Sequence, residues 1–268
     1  MANPLRPDTG LAETALREGR IATGESPWQT PLRLYQDAML SVYYAPMEYV
    51  TLDAKVVLCG ITPGATQVRA ALANARQVLD RGGTIADARR TAKRNAVFIG
   101  LRESIAAMLD AVGLNRRLKI ATCASLFGDN ADLLHCTNAL RHPVVLASGR
   151  GYNGTPAPHH HAYLNTLMRA CLHEEIRTLG ERALWLPLGR AAAAALKRAR
   201  EAGLLAPEQL LDGLPHPSGA NRERILYFTR QKSRAALSRQ TNPDMLDAAR
   251  DGLAARIGGL NGVSGLNA

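Results

Sequence analysis

Three short segments of this chain hold residue types that could do chemistry. They are "GITPG" at residues 60–64, Asn138 at the end of an apolar run, and "HPSGAN" at residues 216–221. An imidazole can exchange a proton, and an asparagine amide presents both a hydrogen-bond donor and an acceptor. Each segment alone also fits a surface turn, because Pro fixes φ while Gly, Ser and Asn favour turns. The elements that position these segments therefore decide between the two interpretations.

Alternating strand and helix patterns predict an α/β fold. Three apolar runs predict strands, namely "AKVVLCGITPG", "DLLHCTNAL" and "ALWLPLG". Helical composition begins at Ala65 and recurs throughout residues 84–118 and in "AYLNTLMRACLHEEIRTLG", "RAAAAALKRAREAG" and "RERILYFTRQKSRAAL". Near the start of the chain, "LRLYQDAML" predicts a short amphipathic helix. Strands separated by helices imply a parallel sheet covered on both faces, with ligands outside the carboxyl ends of its strands. That rule directs attention to the three polar segments.

Composition limits the classes of protein to consider. The 268 residues, 46% of them hydrophobic, fit one α/β domain. The net charge of +10 comes from 28 Arg and 5 Lys against 23 acidic residues. The planar arginine fork suits phosphate, so a nucleic-acid partner is one explanation, and GC-rich coding is the other. Without a membrane-length apolar run or a secretory signal, we expect a cytoplasmic protein that does not bind membranes.

Metal and nucleotide motifs are weak in this chain. The four cysteines lack a C-x-x-C pair and predict packed thiols, with no metal. "GRGYNG" matches G-x-G-x-x-G, but prolines follow where a helix should open, and "GITPG" lacks the Lys and Ser/Thr of a P-loop. "HHH" at residues 159–161 predicts a solvated or phosphate-contacting helix start.

Taken in order, four motifs resemble the uracil-DNA glycosylase superfamily. They are "GITPG", "TNAL" at 137–140, "LPLGRAAAAAL" at 186–196 and "HPSGAN". The first loop is most similar to the mismatch-specific branch, "HPSGAN" to the single-strand-selective branch, and residues 133–196 to the iron–sulfur branch. The resemblance covers about residues 40–235, with 84–118 as a helical insertion and the N-terminal arm and C-terminal tail unassigned. It implies a single domain over 1–268, a three-layer α/β/α fold with a mainly parallel four-stranded sheet.

The resemblance also implies roles for individual residues. His216 would donate a hydrogen bond to the charge that develops on pyrimidine O2, and Asn138 would read the polar edge of a flipped base. The loop backbone at Gly60, Ile61, Pro63 and Gly64 would contact the base. The DNA-binding set would be Pro217, Ser218, Gly219, Asn221, Arg222 and Arg224.

Three departures from the superfamily pattern bear on substrate and mechanism. Thr62 stands where the uracil-specific branch has a water-positioning Asp, so the water must be held by Thr62, Gln67 or a backbone carbonyl. Gly64 replaces a Tyr that excludes substituents at pyrimidine C5, which leaves space. His142 stands where the iron–sulfur branch has a Cys, so we expect no cluster.

The resemblance implies a monofunctional DNA glycosylase that uses no cofactor and acts as a monomer on single- or double-stranded DNA. The base would be uracil, which implies repair, or a C5-modified pyrimidine, which implies defence against phage with hypermodified DNA. Two alternatives stay open: a non-catalytic DNA-binding module of the same fold, and a hydrolase of free nucleotides or nucleosides.

Overall fold

The structure is a computed structural model that describes residue 16, residues 26–28 and residues 30–259. The predictions for the N-terminal arm and the end of the C-terminal tail lie outside these residues. The described chain forms two compact units. Unit 1 holds the described residues up to 50 together with Gly60–Ile99 and Cys136–Glu175, and unit 2 holds Thr51–Cys59, Gly100–His135 and the described residues from 176.

Six strands are assigned in the described residues: β1 (Arg33–Gln36), β2 (Leu40–Tyr43), β3 (Val56–Gly60), β4 (Leu134–Asn138), β5 (Val144–Leu146) and β6 (Leu184–Pro187). One sheet has the order β1–β2–β5 with antiparallel pairs, and the other has the order β4–β3–β6. The β3–β6 pair is parallel, with Cys59 opposite Pro187. Every residue of β3 and β6 is buried, as expected for parallel strands covered on both faces.

The predicted parallel sheet is confirmed, and its fourth member is only a bridge. All three predicted strands form and lie in one sheet as β3, β4 and β6. Beyond β6, Leu210 makes a single parallel bridge with Trp185, and the Leu211 N–H donates to the Trp185 carbonyl. The sheet therefore has three full strands in the described residues, with one bridged residue where a fourth strand was expected.

The helix predicted in "LRLYQDAML" was wrong, because this segment forms β1, a turn and the start of β2. Asp37 explains the turn, since its carboxylate accepts the N–H groups of Met39 and Leu40 at 2.7 and 3.0 Å. Such side-chain bonds to nearby backbone groups compete with helical bonding.

The helices of the described residues are α1 (Ala65–Asp80), α2 (Ile85–Ala96), α3 (Arg102–Ala111), α4 (Leu114–Arg117), α5 (Ala162–Leu179), α6 (Arg190–Glu201), α7 (Arg222–Phe228) and α8 (Pro243–Gly258). Residues 84–118 are thus three helices with breaks between them. None of these helices is both long enough and apolar enough to cross a membrane.

The helix predicted in "RERILYFTRQKSRAAL" was wrong beyond Phe228. Arg230 adopts a φ of 61°, and the N–H groups of Gln231 and Lys232 both bond the Leu226 carbonyl, which closes α7. Glu223 then binds the chain that follows, as described below for the "HPSGAN" region.

Local backbone features set where three of the helices begin. α1 begins directly after Pro63 and Gly64, and the N–H of Val68 bonds the Gly64 carbonyl. α2 begins with a capping box in which Thr84 and Asp87 exchange hydrogen bonds. α6 begins after Gly189, whose φ of 96° favours glycine.

Candidate active site

The loop after β3 runs beside the chain that leaves β4, within unit 1. The N–H of Ala139 donates to the Gly60 carbonyl at 2.8 Å, and the N–H of Leu140 donates to the Ile61 carbonyl at 2.9 Å. These bonds hold the "GITPG" loop against Asn138. They also occupy one acceptor position on each of the first two loop carbonyls that were predicted to contact the base.

Gly60 is the residue that makes room for the Asn138 side chain. A Cβ at Gly60 would lie 2.3 Å from Oδ1 of Asn138, far inside any normal contact. Asn138 is only 3% exposed. Its amide presents both a hydrogen-bond donor and an acceptor, so it is suited to a ligand that presents the complementary acceptor and donor.

Phe98 adds an aromatic ring to the same place, and the sequence analysis missed it. Its Cε1 would lie 3.2 Å from the same Cβ at Gly60, and the residue is 3% exposed. Its φ of 55° is unusual for a bulky side chain. The available signal was that Phe98 is the single aromatic residue of the 84–118 stretch.

Gln67 holds the backbone that presents Phe98. Gln67 lies on α1, and Phe98 lies in the break between α2 and α3. Oε1 of Gln67 accepts the Phe98 N–H at 3.2 Å. The side-chain oxygen therefore already has one partner, while the amide nitrogen can still donate. The proposed role of Gln67 in holding water stays a prediction.

Thr62 is bonded to the start of β5 through its hydroxyl. Oγ1 donates to the His142 carbonyl at 3.2 Å and accepts the Val144 N–H at 3.1 Å. A hydroxyl has one proton and two lone pairs, so towards a water molecule Thr62 can act only as an acceptor. Its role with the attacking water also stays a prediction.

Gly64 leaves open space at the start of α1. No atom of the described residues lies within 4 Å of a Cβ placed there, and its φ of −82° suits any residue. The neighbouring Pro63 is buried, whereas Gly64 is exposed. A side chain at position 64 would therefore be tolerated by the backbone, and its absence leaves this part of the loop unobstructed.

His216 lies against the N-terminus of α6, within unit 2. A Cβ at Gly189 would lie 2.7 Å from His216 Cδ2, so glycine permits this close approach. The N–H of Leu188 donates to the Cys59 carbonyl at 2.8 Å, which ties the end of β6 to β3. The imidazole is consequently held beside the positive end of a helix dipole.

Hydrogen bonding selects one tautomer of His216. The N–H of Ser218 donates to Nδ1 at 3.2 Å. In the neutral ring Nδ1 is then the acceptor, so Nε2 carries the proton. Partial burial lowers the pKa of His216, and the adjacent helix N-terminus also disfavours a second proton. The ring therefore offers a neutral N–H donor at neutral pH.

A chain of hydrogen bonds extends from this histidine along "HPSGAN". Asn221 Nδ2 donates to Ser218 Oγ at 3.1 Å, and Arg224 Nη1 donates to Asn221 Oδ1 at 3.0 Å. Asn221 thus organises the loop, and its amide is engaged at both ends. Pro217 in the same loop is buried and Gly219 is exposed.

Two exposed arginines at the start of α7 lie on either side of Glu223 in the chain, and the carboxylate of Glu223 binds other residues. Arg222 and Arg224 are exposed, while Glu223 between them accepts hydrogen bonds from Lys232, Ser238 and Thr241 at 2.5–2.7 Å. These bonds lower the pKa of Glu223 and keep its charge fixed on the following loop. The carboxylate is thereby prevented from pairing freely with either arginine.

The remaining polar motifs carry no metal site in the described residues. No group of three or more His, Cys, Asp or Glu could hold an ion there, and none of the four cysteines forms a disulfide. The expectation of a solvated "HHH" is wrong for His161, which is 8% exposed. Its Nε2 lies 2.8 Å from Oδ2 of Asp37, and its Nδ1 accepts the N–H of Leu164.

Comparison with known proteins identifies the class. The family model of the uracil DNA glycosylase superfamily matches residues 47–242, and the chain belongs to that superfamily. The match includes both loops, Asn138 and His216. The uncharacterized protein YoxB of Bacillus subtilis (strain 168) is 35% identical over 205 residues, which are 75% of this chain and 80% of that relative. Membership indicates a glycosylase-type function with DNA as the partner.

Proposed function

We propose that this chain is a monofunctional DNA glycosylase that hydrolyses the N-glycosidic bond of a flipped pyrimidine and leaves an abasic site. The observation that carries this proposal is the hydrogen bonding of the His216 ring and its position beside the N-terminus of α6. Its Nδ1 accepts the Ser218 N–H, so a neutral ring carries its proton on Nε2, beside a helix N-terminus, and partial burial lowers the pKa of His216, which favours that neutral form.

This donor suits the charge that develops as the base departs. The bond between C1′ and N1 breaks with its electron pair passing to the base, so negative charge accumulates on O2. Nε2–H of His216 donates to that oxygen, and the dipole of α6 adds favourable potential. Water then adds to the oxocarbenium-like C1′ to form the C1′–OH group, and the proton that it loses neutralises the released base anion. A neutral donor is effective here because it strengthens its bond as the oxygen becomes anionic.

Asn138 and Phe98 are proposed to recognise the base. The amide presents a donor and an acceptor, which match O4 and N3–H of uracil. Rotation of the amide by half a turn would instead match N4–H and N3 of cytosine. Aromatic rings stack on flipped bases, and the Phe98 ring lies beside the amide at Gly60. These contacts fit the hydrogen-bonding edge of either uracil or cytosine, so the assay below compares derivatives of both bases.

Water activation is proposed to be weak in this enzyme. The hydroxyl proton of Thr62 is committed to the His142 carbonyl, and Oε1 of Gln67 is committed to Phe98. Neither side chain is a carboxylate, so the water is held by the free lone pair of Thr62, by Gln67 or by a backbone carbonyl. Catalysis then depends chiefly on stabilising the departing base.

Two biological roles follow from two classes of base. Release of uracil would serve repair of deaminated cytosine. Release of a bulky C5-modified pyrimidine would serve defence against phage with hypermodified DNA. The open space at Gly64 permits a C5-modified base without requiring one, because no atom of the described residues lies within 4 Å of a Cβ at that position.

The arginines beside "HPSGAN" are proposed to contact phosphates. Arg222 and Arg224 are exposed, and Glu223 between them is bound to Lys232, Ser238 and Thr241. Pro217, Ser218 and Gly219 are proposed to press into the DNA. The chain carries a net charge of +10, which favours association with DNA at low salt.

The test is to identify any base that the purified protein releases. Single- and double-stranded oligonucleotides containing uracil, 5-hydroxymethyluracil or a glucosylated 5-hydroxymethylcytosine are incubated beside the matching free nucleotides, and free base is measured by mass spectrometry. Release from DNA supports the proposal, and release of uracil alone removes the defence role. Release only from free nucleotides indicates a nucleotide hydrolase. DNA binding with no release from any substrate indicates a non-catalytic module.

A further inference from the structure

A buried carboxylate in unit 1 binds two cations from different parts of the chain. Oε1 of Glu175, on α5, lies 3.0 Å from Nη2 of Arg141 and 3.5 Å from Nζ of Lys93. The side chains of Glu175, Lys93 and Arg141 are 1%, 4% and 14% exposed. Charged residues are almost never buried this deeply unless they are paired.

Each cation lies on a segment that carries one of the proposed base-contacting residues. Lys93 is in the last turn of α2, and its carbonyl accepts the N–H of Val97, directly before Phe98. Arg141 directly follows the Ala139–Leu140 pair that bonds the "GITPG" loop and that comes directly after Asn138. Oε1 of Glu175 is therefore bonded to both segments.

Stability alone does not account for this cluster. Burying charged groups carries a large desolvation cost, and packed apolar side chains of the same volume are often as stable or more so. Burial lowers the pKa of Lys93, which records that cost. What charges add over apolar groups is directional bonding, which specifies one arrangement of the segments that they join.

We propose that Glu175 is a positioning residue that sets the Phe98 ring and the Asn138 amide relative to each other. A Cβ at Gly60 would lie 3.2 Å from the ring and 2.3 Å from the amide oxygen, so the two groups converge on one point. Small shifts of either segment change that convergence. The inference rests on the proposed function, because it concerns how the base is held.

The main test compares Glu175→Gln with Glu174→Gln, a matched control on the exposed neighbouring residue of α5. Single-turnover base release and DNA affinity are measured for both. We expect Glu175→Gln to slow release by about tenfold or more with DNA affinity unchanged, and Glu174→Gln to match wild type. In a Phe98→Ala background, Glu175→Gln should have little further effect, because it acts through the missing ring. Equal effects in both backgrounds would overturn the inference.

A second measurement keeps this inference separate from the proposed function. Amide hydrogen exchange reports the Phe98 N–H on Gln67 and the Ala139 and Leu140 N–H groups on the loop. We expect Glu175→Gln to speed exchange at these three amides on the order of tenfold while the Leu188 amide is unchanged. Unchanged or uniformly faster exchange overturns the inference. If wild type releases no base, the proposed function fails and exchange still decides the role of Glu175.

A third variant covers the case in which Glu175→Gln does not fold. Glu175→Asp keeps the negative charge and shortens the side chain by one methylene. We expect this variant to fold, to bind DNA normally and to show slower release with faster exchange at the same three amides. Wild-type release and exchange in a folded Glu175→Asp would contradict a role that depends on where the carboxylate sits.

Discussion

Gly60→Ala is the substitution whose effect can be worked out most directly from the structure. The added Cβ would lie 2.3 Å from Oδ1 of Asn138. Because ordinary contacts of this kind are longer, the amide must move by about 1 Å, a displacement that can cost roughly 100-fold in rate. This corresponds to about 2.7 kcal/mol of transition-state stabilisation. The backbone at Gly60 belongs to β3, so alanine introduces no conformational strain of its own.

Single-turnover base release from DNA measures this effect, with Gly64→Ala as the control. Position 64 lies in the same loop, and in the part of the chain that the structure describes no atom is within 4 Å of a Cβ added there. We expect Gly60→Ala to release base roughly 100-fold more slowly with unchanged DNA affinity, and Gly64→Ala to match wild type. If Gly60→Ala released base at the wild-type rate, the amide of Asn138 would not be the group that reads the base.

Three further predictions follow from individual contacts. Gly189→Ala and Gly203→Ala both place alanine at positive φ; urea unfolding should show a loss of about 1–2 kcal/mol for Gly203→Ala and a larger loss for Gly189→Ala, and only Gly189→Ala meets His216 and should slow base release, by about tenfold or more. Gly64→Tyr fills the open space and should reduce release of C5-substituted pyrimidines about 100-fold relative to uracil in a competition assay; equal losses for both bases would contradict this use of the space. Burial lowers the pKa of His142 to about 3, so stability falls as the pH drops from about 6.5 towards that value, by about 2 kcal/mol at pH 5; urea unfolding of His142→Gln should lack this loss, and an equal loss in the variant would refute it.

Strand and helix patterns predicted much of the fold because local composition and burial agree there. The all-buried runs of β3 and β6 and the helices after them appear where periodicity indicates. The hairpin of β1 and β2 was missed because its turn depends on two backbone bonds to Asp37. The early end of α7 depends on local bonds to the Leu226 carbonyl, and Glu223 then binds residues further along the chain. Polar contacts of this kind, within a turn or between distant residues, leave no periodic signal.

Residues of the candidate site that lie in sequence motifs could be predicted. Residues that are placed there by contacts between distant parts of the chain could not. Asn138 and His216 lie in motifs that the resemblance to the superfamily identifies. Phe98 lies in no such motif, and its position depends on a positive φ and on the hydrogen bond that its N–H donates to Gln67. The Glu175 cluster joins residues far apart in the chain, so no local spacing indicates it.

Single-turnover base release by His216→Ala tests the central claim most directly. The substrate is the oligonucleotide from which wild type releases base, and DNA binding by the variant is measured in parallel. Removal of one transition-state donor predicts a fall of roughly 100-fold or more with binding retained. Release by His216→Ala at the wild-type rate would contradict the account, because the neutral donor held by Ser218 would then play no part in breaking the glycosidic bond.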